Sequence, residues 1–224
     1  MSEAVKPGGA WGLKLLALPV AVLAVLSLHT AFIYGMADVK TLKARALIAD
    51  WQRNEKARPQ IVQVGQARND LIAGLKWLPG DSQLLEGLGY LYGLRAVNVE
   101  NIPELHQAML DEVLLYYRES LKRRPMAPYA WANVALALHL KDAGADEMWR
   151  SFDRAMAYGK REGGVQLKLA RIALDRWNTL TPERRGEVAD MLGMARGRTV
   201  RDLKKMFENT GHDDLQIGPE QPAG

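Results

Sequence analysis

The fold is decided by "YYRESLKRRPMAPYAWANVALALHL", Tyr116 to Leu140. Two tyrosines and a basic run close one helix, Pro125 stops it, Pro128 orients the next, and Trp131 enters an apolar helical face. A proline removes an N–H donor and pushes the residue before it out of the helical region, so one helix ends there. A proline in a first helical turn costs nothing, so another can begin within a few residues. Such a junction is what stacked helical hairpins need. Repeats of the tetratricopeptide kind are helix–turn–helix units of about 34 residues, with a small residue on the first helix where the second crosses and a proline closing the unit.

Working outward, three passes of that pattern can be laid on the chain. The first is weak on its leading helix, where only Trp51 serves, but its second helix carries Ala67, Leu71 and Gly74 before Pro79. The second places Leu85, Leu88, Gly89 and Tyr92 on one helix and Val113, Tyr117 and Ser120 on the next, closed by Pro125. It holds an insertion of about twelve residues relative to the motif. The third runs Trp131, Val134, Ala135 and Leu138, then Met148, Phe152 and Ala155, with Lys160 where the closing proline would stand. Beyond it, a degenerate pair with Leu167, Ala170 and Leu174 inward reads as a terminal cap. Breaks are expected at "WLPGD", "NVENIP", "RRPMAP", "KDAGAD", "KREGG" and "LTPE", each rich in turn-forming residues. Asp81 or Ser82 can cap the helix entering at Gln83, and Thr181 precedes a proline at a first helical position. The expectation is an all-α domain over 38–207, a tetratricopeptide-like solenoid of three to four helical pairs, with a frayed tail over 208–224.

Toward the N-terminus, Leu15 to Ala37 is a run of 23 residues without a formally charged side chain. About 20 suffice to cross the hydrocarbon of a bilayer as a helix, so 15–37 is a candidate single-pass span behind a short tail, 1–14. Trp11 and Tyr34 fall near its two ends, as interfacial aromatics do. Lys14 could serve a cleaved signal peptide instead, but the apolar run is long for one and no small-x-small site follows. His29 lies toward one end of the run, where a helical histidine is tolerated. Lys40, Lys43, Arg45, Arg53, Lys56 and Arg58 outnumber Lys6 and Lys14. That count keeps the following domain in the cytoplasm, although long domains translocate largely regardless of charge.

Composition narrows the chemistry. The 224 residues are 48% apolar and contain no cysteine, which removes disulfides, thiolate metal sites and thiol nucleophiles. His29, His106, His139 and His212 show no metal-ligand spacing, so neither a metal nor another cofactor is expected. "REGGVQLK" lacks the Lys-Ser/Thr ending of a phosphate loop. The acidic residues are scattered on polar helix faces, so no catalytic residue is assigned and an enzyme is not expected. The net charge of +4 comes with no nucleic-acid recognition module, and fits anionic lipid or an acidic polymer.

The run from Leu121 to Leu192 resembles the VpsP-type family of polysaccharide-biosynthesis proteins. The resemblance is carried by "RRPMAPYAWANVALAL", then "FDRAM", then "VQLKLARIALDRW", about a third of the chain. It implies a single-pass anchor in a bacterial inner membrane, a helical-repeat domain on the periplasmic face, and an accessory role in exopolysaccharide assembly or export. It supplies no catalytic motif. Residue reading and resemblance together give a membrane-anchored scaffold that binds protein partners, with Glu86, Asn133 and Lys168 expected on the partner-facing groove. Two alternatives stand beside it. One is a carbohydrate-binding or carbohydrate-modifying domain built on Trp149 and Trp177 with Glu147 and Asp175. The other is a cytoplasm-facing adaptor.

Overall fold

The computed structural model describes residues 9–54, 59–208, 210–212 and 215–219, with side chains from residue 17 onward. Trp11, Lys6, Lys14, Lys56 and Arg58, which entered the reading of the anchor, lie outside the described side chains. Among the described residues the chain is all helical, with nine α-helices and no strand. They are α1 (Gly9–Arg53), α2 (Ile61–Leu75), α3 (Ser82–Asn98), α4 (Pro103–Arg123) and α5 (Pro128–Lys141). After these come α6 (Ala145–Gly159), α7 (Gly163–Asp175), a single 3-10 turn at Trp177–Thr179, α8 (Pro182–Gly193) and α9 (Arg198–Phe207). The six expected breaks all fall between helices. Asp81 caps α3 by accepting from the Leu84 amide at 2.9 Å, and the Thr181 hydroxyl accepts from Arg184 N at 3.3 Å at the start of α8.

Two compact units make up the chain: Met1–Pro59 with Gly65–Pro79, and Gln60–Val64 with Gly80–Gly224. In the first, α1 is one uninterrupted helix of 45 residues. Its two halves differ in kind. From Leu18 to Tyr34 every side of the helix carries apolar residues and nearly all are exposed, Leu28 by 72% and Val25 by 65%. From Ala37 onward burial is confined to Ala37, Thr41, Ala44, Ile48 and Trp51, a single stripe at alternating spacings of four and three. The Thr41 hydroxyl in that stripe donates to the Ala37 carbonyl at 2.9 Å, so the stripe's one hydroxyl is satisfied. In α2, Ala67, Leu71 and Gly74 form the matching stripe. The chain folds back on itself, since the Phe32 and Trp77 rings meet edge to face with centroids 5.9 Å apart. A helix that is apolar all round and unburied is the pattern of a membrane span, so α1 is the one candidate span among the described residues.

In the second unit, α4 packs between α3 and α5, α5 meets α4, α6 and α7, and α7 also meets α8 and α9. Each consecutive pair from α3 to α8 packs together, and α9 returns to α7. Leu88, Ala135, Phe152 and Ala155 are fully buried, Leu85 and Tyr117 nearly so, and Tyr92 and Trp131 lie half-buried against the core. Pro125 is exposed at the junction, where its carbonyl accepts the Trp131 indole N–H at 2.7 Å. That bond ties the end of α4 to the first turn of α5.

The close crossing of α3 and α4 depends on Gly89. A Cβ there would stand 2.7 Å from the buried Tyr117 ring, whereas one at Gly93 on the same helix would meet nothing within 4 Å. Alanine is worth about 0.8–1 kcal/mol over glycine inside a helix, and overpacking a tight core costs about 1–3 kcal/mol. Gly89→Ala should therefore lower the urea midpoint, and Gly93→Ala should raise it. Equal shifts of the two would mean that the crossing is not tight.

The C-terminal segment differs from the frayed tail expected. Gly218 N donates to Leu192 O at 2.9 Å, Gly218 packs against Val200, and Leu215 and Ile217 lie on the core. Two apolar residues two apart, followed by a glycine at φ 88°, are enough to dock a strap that lacks helical periodicity.

Candidate functional site

The N-terminal turns of α5 and α7 lie side by side, and the residues that let them do so are the adjacent glycines at the start of α7. A Cβ at Gly164 would come 2.7 Å from the Tyr129 ring of α5, and one at Gly163 would come 2.2 Å from Thr199 Oγ1 of α9. Glycines that could have suggested a phosphate loop are instead where two neighbouring helices touch the backbone.

Tyr129 is the centre of the exposed face that results, 42% exposed. Its ring lies 6.0 Å from the Lys168 ammonium, and its carbonyl accepts the Asn133 side-chain amide at 2.8 Å. Lys168 is half-buried with its Nζ 3.4 Å from the Gly164 carbonyl. Burial lowers the pKa of Lys168 from the ordinary lysine value. Burial raises that of the Tyr129 phenol, and the nearby Glu162 carboxylate adds to the rise. This face presents an aromatic ring, an amide and an ammonium on rigid helices, groups suited to holding a peptide or a hydroxyl-rich chain.

Two of the three residues expected on a groove, Asn133 and Lys168, are thus brought together. Glu86 is elsewhere. It lies between α3 and α4, where its Oε1 accepts from the buried Ser120 hydroxyl at 2.9 Å and from Arg124 Nη1 at 3.3 Å. Tyr129 was missed in the sequence because it is an ordinary helix-start aromatic until the glycine pair thirty-five positions later is placed against it; the usable signal was a Pro-Tyr helix start with Asn one turn on.

The residues of the carbohydrate alternative all have partners within the fold. Trp149 carries the Arg184 guanidinium 4.4 Å from its centroid and meets Phe152 edge-on at 5.4 Å. Trp177 lies 5.8 Å from the Arg185 guanidinium and 4.9 Å from the His212 ring. Glu147 accepts two bonds from Arg118 at 2.9 and 2.8 Å, joining α4 to α6. Asp175 belongs to a network between α5 and α7. Arg176 Nε donates to His139 Nδ1 at 3.0 Å, so the imidazole proton is on Nε2 and is given to Asp175 Oδ2, also at 3.0 Å. Arg171 donates to the same carboxylate at 2.9 Å. No group of three or more His, Asp or Glu that could hold a metal occurs among the described residues.

Although burial by itself raises the Asp175 pKa, the bonds from His139 and Arg171 and the arginine charge outweigh it and hold the carboxyl below the usual carboxylate range. A depressed folded value gives stability that is present above the unfolded pKa and lost as pH falls through the folded one. Asp175→Asn should accordingly lower the urea midpoint near pH 7, and the difference from the parent should shrink as the pH falls below the ordinary carboxylate range. A difference that does not change with pH would show that the network contributes through packing alone.

No protein-family model, curated protein or solved structure matches the chain.

Proposed function

We propose that this chain is a membrane-anchored helical adaptor, whose exposed α5–α7 face binds a protein partner close to a membrane-embedded assembly. The observation that carries the reading is the continuity of α1, a single 45-residue helix whose exposed apolar half runs without a break into a half buried in a folded unit. An anchor built this way is stiff, and it confines whatever the bundle holds to the membrane plane, raising its effective concentration near neighbours there. The unbroken helix, which carries Ala37, Thr41 and Ala44 into a packed stripe beyond the apolar run, supports an anchor over a cleaved signal peptide.

The stacking of helix pairs, with Gly89 under Tyr117 and prolines at the junctions, supports a tetratricopeptide-like solenoid. The resemblance to the VpsP-type family supports an inner-membrane setting, a periplasmic bundle and an accessory part in exopolysaccharide assembly or export. The excess of Lys and Arg after the span favours a second reading, with the bundle facing the cytoplasm.

The test is polymer output in a host strain lacking the chain and complemented with variants. Tyr129→Ala with Lys168→Glu should abolish recovery at an unchanged membrane level of the protein, and an unrelated apolar helical sequence in place of 15–31 should retain it. Full recovery by the face variant would refute the adaptor role of that face. Normal output in the strain lacking the chain would refute the polysaccharide role.

A further inference from the structure

In the turn that follows α2, "KWLP" at Lys76 to Pro79, the Trp77 ring stands against the candidate span. Phe32, whose ring it meets at 5.9 Å through Trp77, lies five residues before Ala37, where burial begins. At about 1.5 Å per residue that places Phe32 roughly 7 Å inside the end of the span. Phe32 and Tyr34 are both 58% exposed and Leu28 before them 72%, while Ile33 and Met36 are half-buried. If the exposed run of α1 lies in a bilayer, the Trp77 ring shares its depth.

We infer that Lys76, Trp77 and Leu78 form a second membrane contact, inserted at the interface between phospholipid headgroups and acyl chains. This inference rests on the reading of α1 as a span and adds to it a second point of attachment. The residue types fit the place. Tryptophan favours the headgroup level because its large apolar ring ends in an N–H, and Trp77 and Leu78 are half-buried and not sealed in a core. Lys76 is exposed beside them, and its long stem can carry the ammonium back to a lipid phosphate. A helix held at one point is free to tilt and rotate; one held at the span and again at Trp77 has a fixed rotation about its axis and a fixed height. The interface contact thus sets which way the stripe from Ala37 to Trp51 faces.

The absence of cysteine makes a direct test possible in the full chain. Single cysteines at Lys76→Cys, Val25→Cys and Gln52→Cys, each carrying a fluorophore, would be read in phosphatidylethanolamine–phosphatidylglycerol vesicles containing quenchers attached either at the headgroup or deep in the acyl chain. Gln52 is exposed near the far end of α1, about 22 Å beyond Ala37, and serves as the aqueous reference. Position 76 should be quenched by the headgroup-level lipid several times more than position 52, and position 25 by the deep lipid. Trp77→Ala should reduce the quenching at position 76 while leaving position 25 unchanged. Position 76 behaving like position 52 while position 25 is quenched would overturn the interfacial contact and leave the span standing. An unquenched position 25 would overturn the span, and the contact with it.

Discussion

Phe152→Ala is expected to remove about 3–5 kcal/mol of stability. Phe152 is fully buried on α6, heads the largest sealed side chains of the bundle, and is backed by Trp149 at 5.4 Å. The same core cluster holds Ala132 and Ala135 on α5 and Ala155 on α6, all at 0% exposure, residues too small to fill the space left behind. The cost is therefore the lost transfer of the ring plus a cavity that stays open. Against a total of about 5–15 kcal/mol for a domain, this is about a fifth or more of the whole. Urea unfolding of the full chain in detergent measures it. Phe152→Leu is the control and should cost under about 1.5 kcal/mol if volume, and not the aromatic ring, is what matters.

The second large effect belongs to the span. Val25→Arg with Leu26→Arg places two charges where side chains of 65% and 55% exposure now project from α1. On an insertion scale each arginine at the centre of a span costs about 2.5–3.5 kcal/mol, so the pair costs about 5–7 kcal/mol. That moves a partition by roughly four orders of magnitude. The variant should pass from the carbonate-resistant membrane fraction to the soluble or aggregated fraction, while Val25→Ile with Leu26→Ile stays. Retention of the arginine variant in the membrane fraction would mean that something other than α1 holds the chain there.

Much of the architecture was legible because it rests on local chemistry. Pro125 and Pro128 mark the α4–α5 junction, Asp81 and Thr181 cap the helices expected of them, and the apolar run from Leu15 stands out by length alone. Long-range placement was less legible. Nothing in the local pattern around Ala37 shows that the span and the next sixteen residues are one rod, because the change at Ala37 is in burial, not in helix propensity. Burial depends on α2 folding back, a contact between residues as far apart as Phe32 and Trp77. Glu86 looked like a surface carboxylate on a leading helix, and only the position of Ser120, thirty-four residues away, makes it an acceptor inside the α3–α4 pair. Tyr129 gained meaning in the same way, through Gly164. The strap at Leu215 to Gly218 was hidden because it has no period to detect and is held by one backbone bond to Leu192.

The proposed placement, a folded bundle tethered by α1 on the outer side of a bacterial inner membrane, is tested most directly by labelling a single introduced cysteine at Met126→Cys. Met126 is 68% exposed at the α4–α5 junction, and the chain has no other cysteine to confuse the signal. In cells with a permeabilised outer membrane, a maleimide unable to cross the inner membrane should label Met126→Cys fully, with no gain on lysis, and the labelled chain should remain in the membrane fraction. Labelling only after the inner membrane is broken would contradict the periplasmic placement and make the cytoplasm-facing adaptor the better account, and a labelled chain released into the soluble fraction would contradict the tether itself.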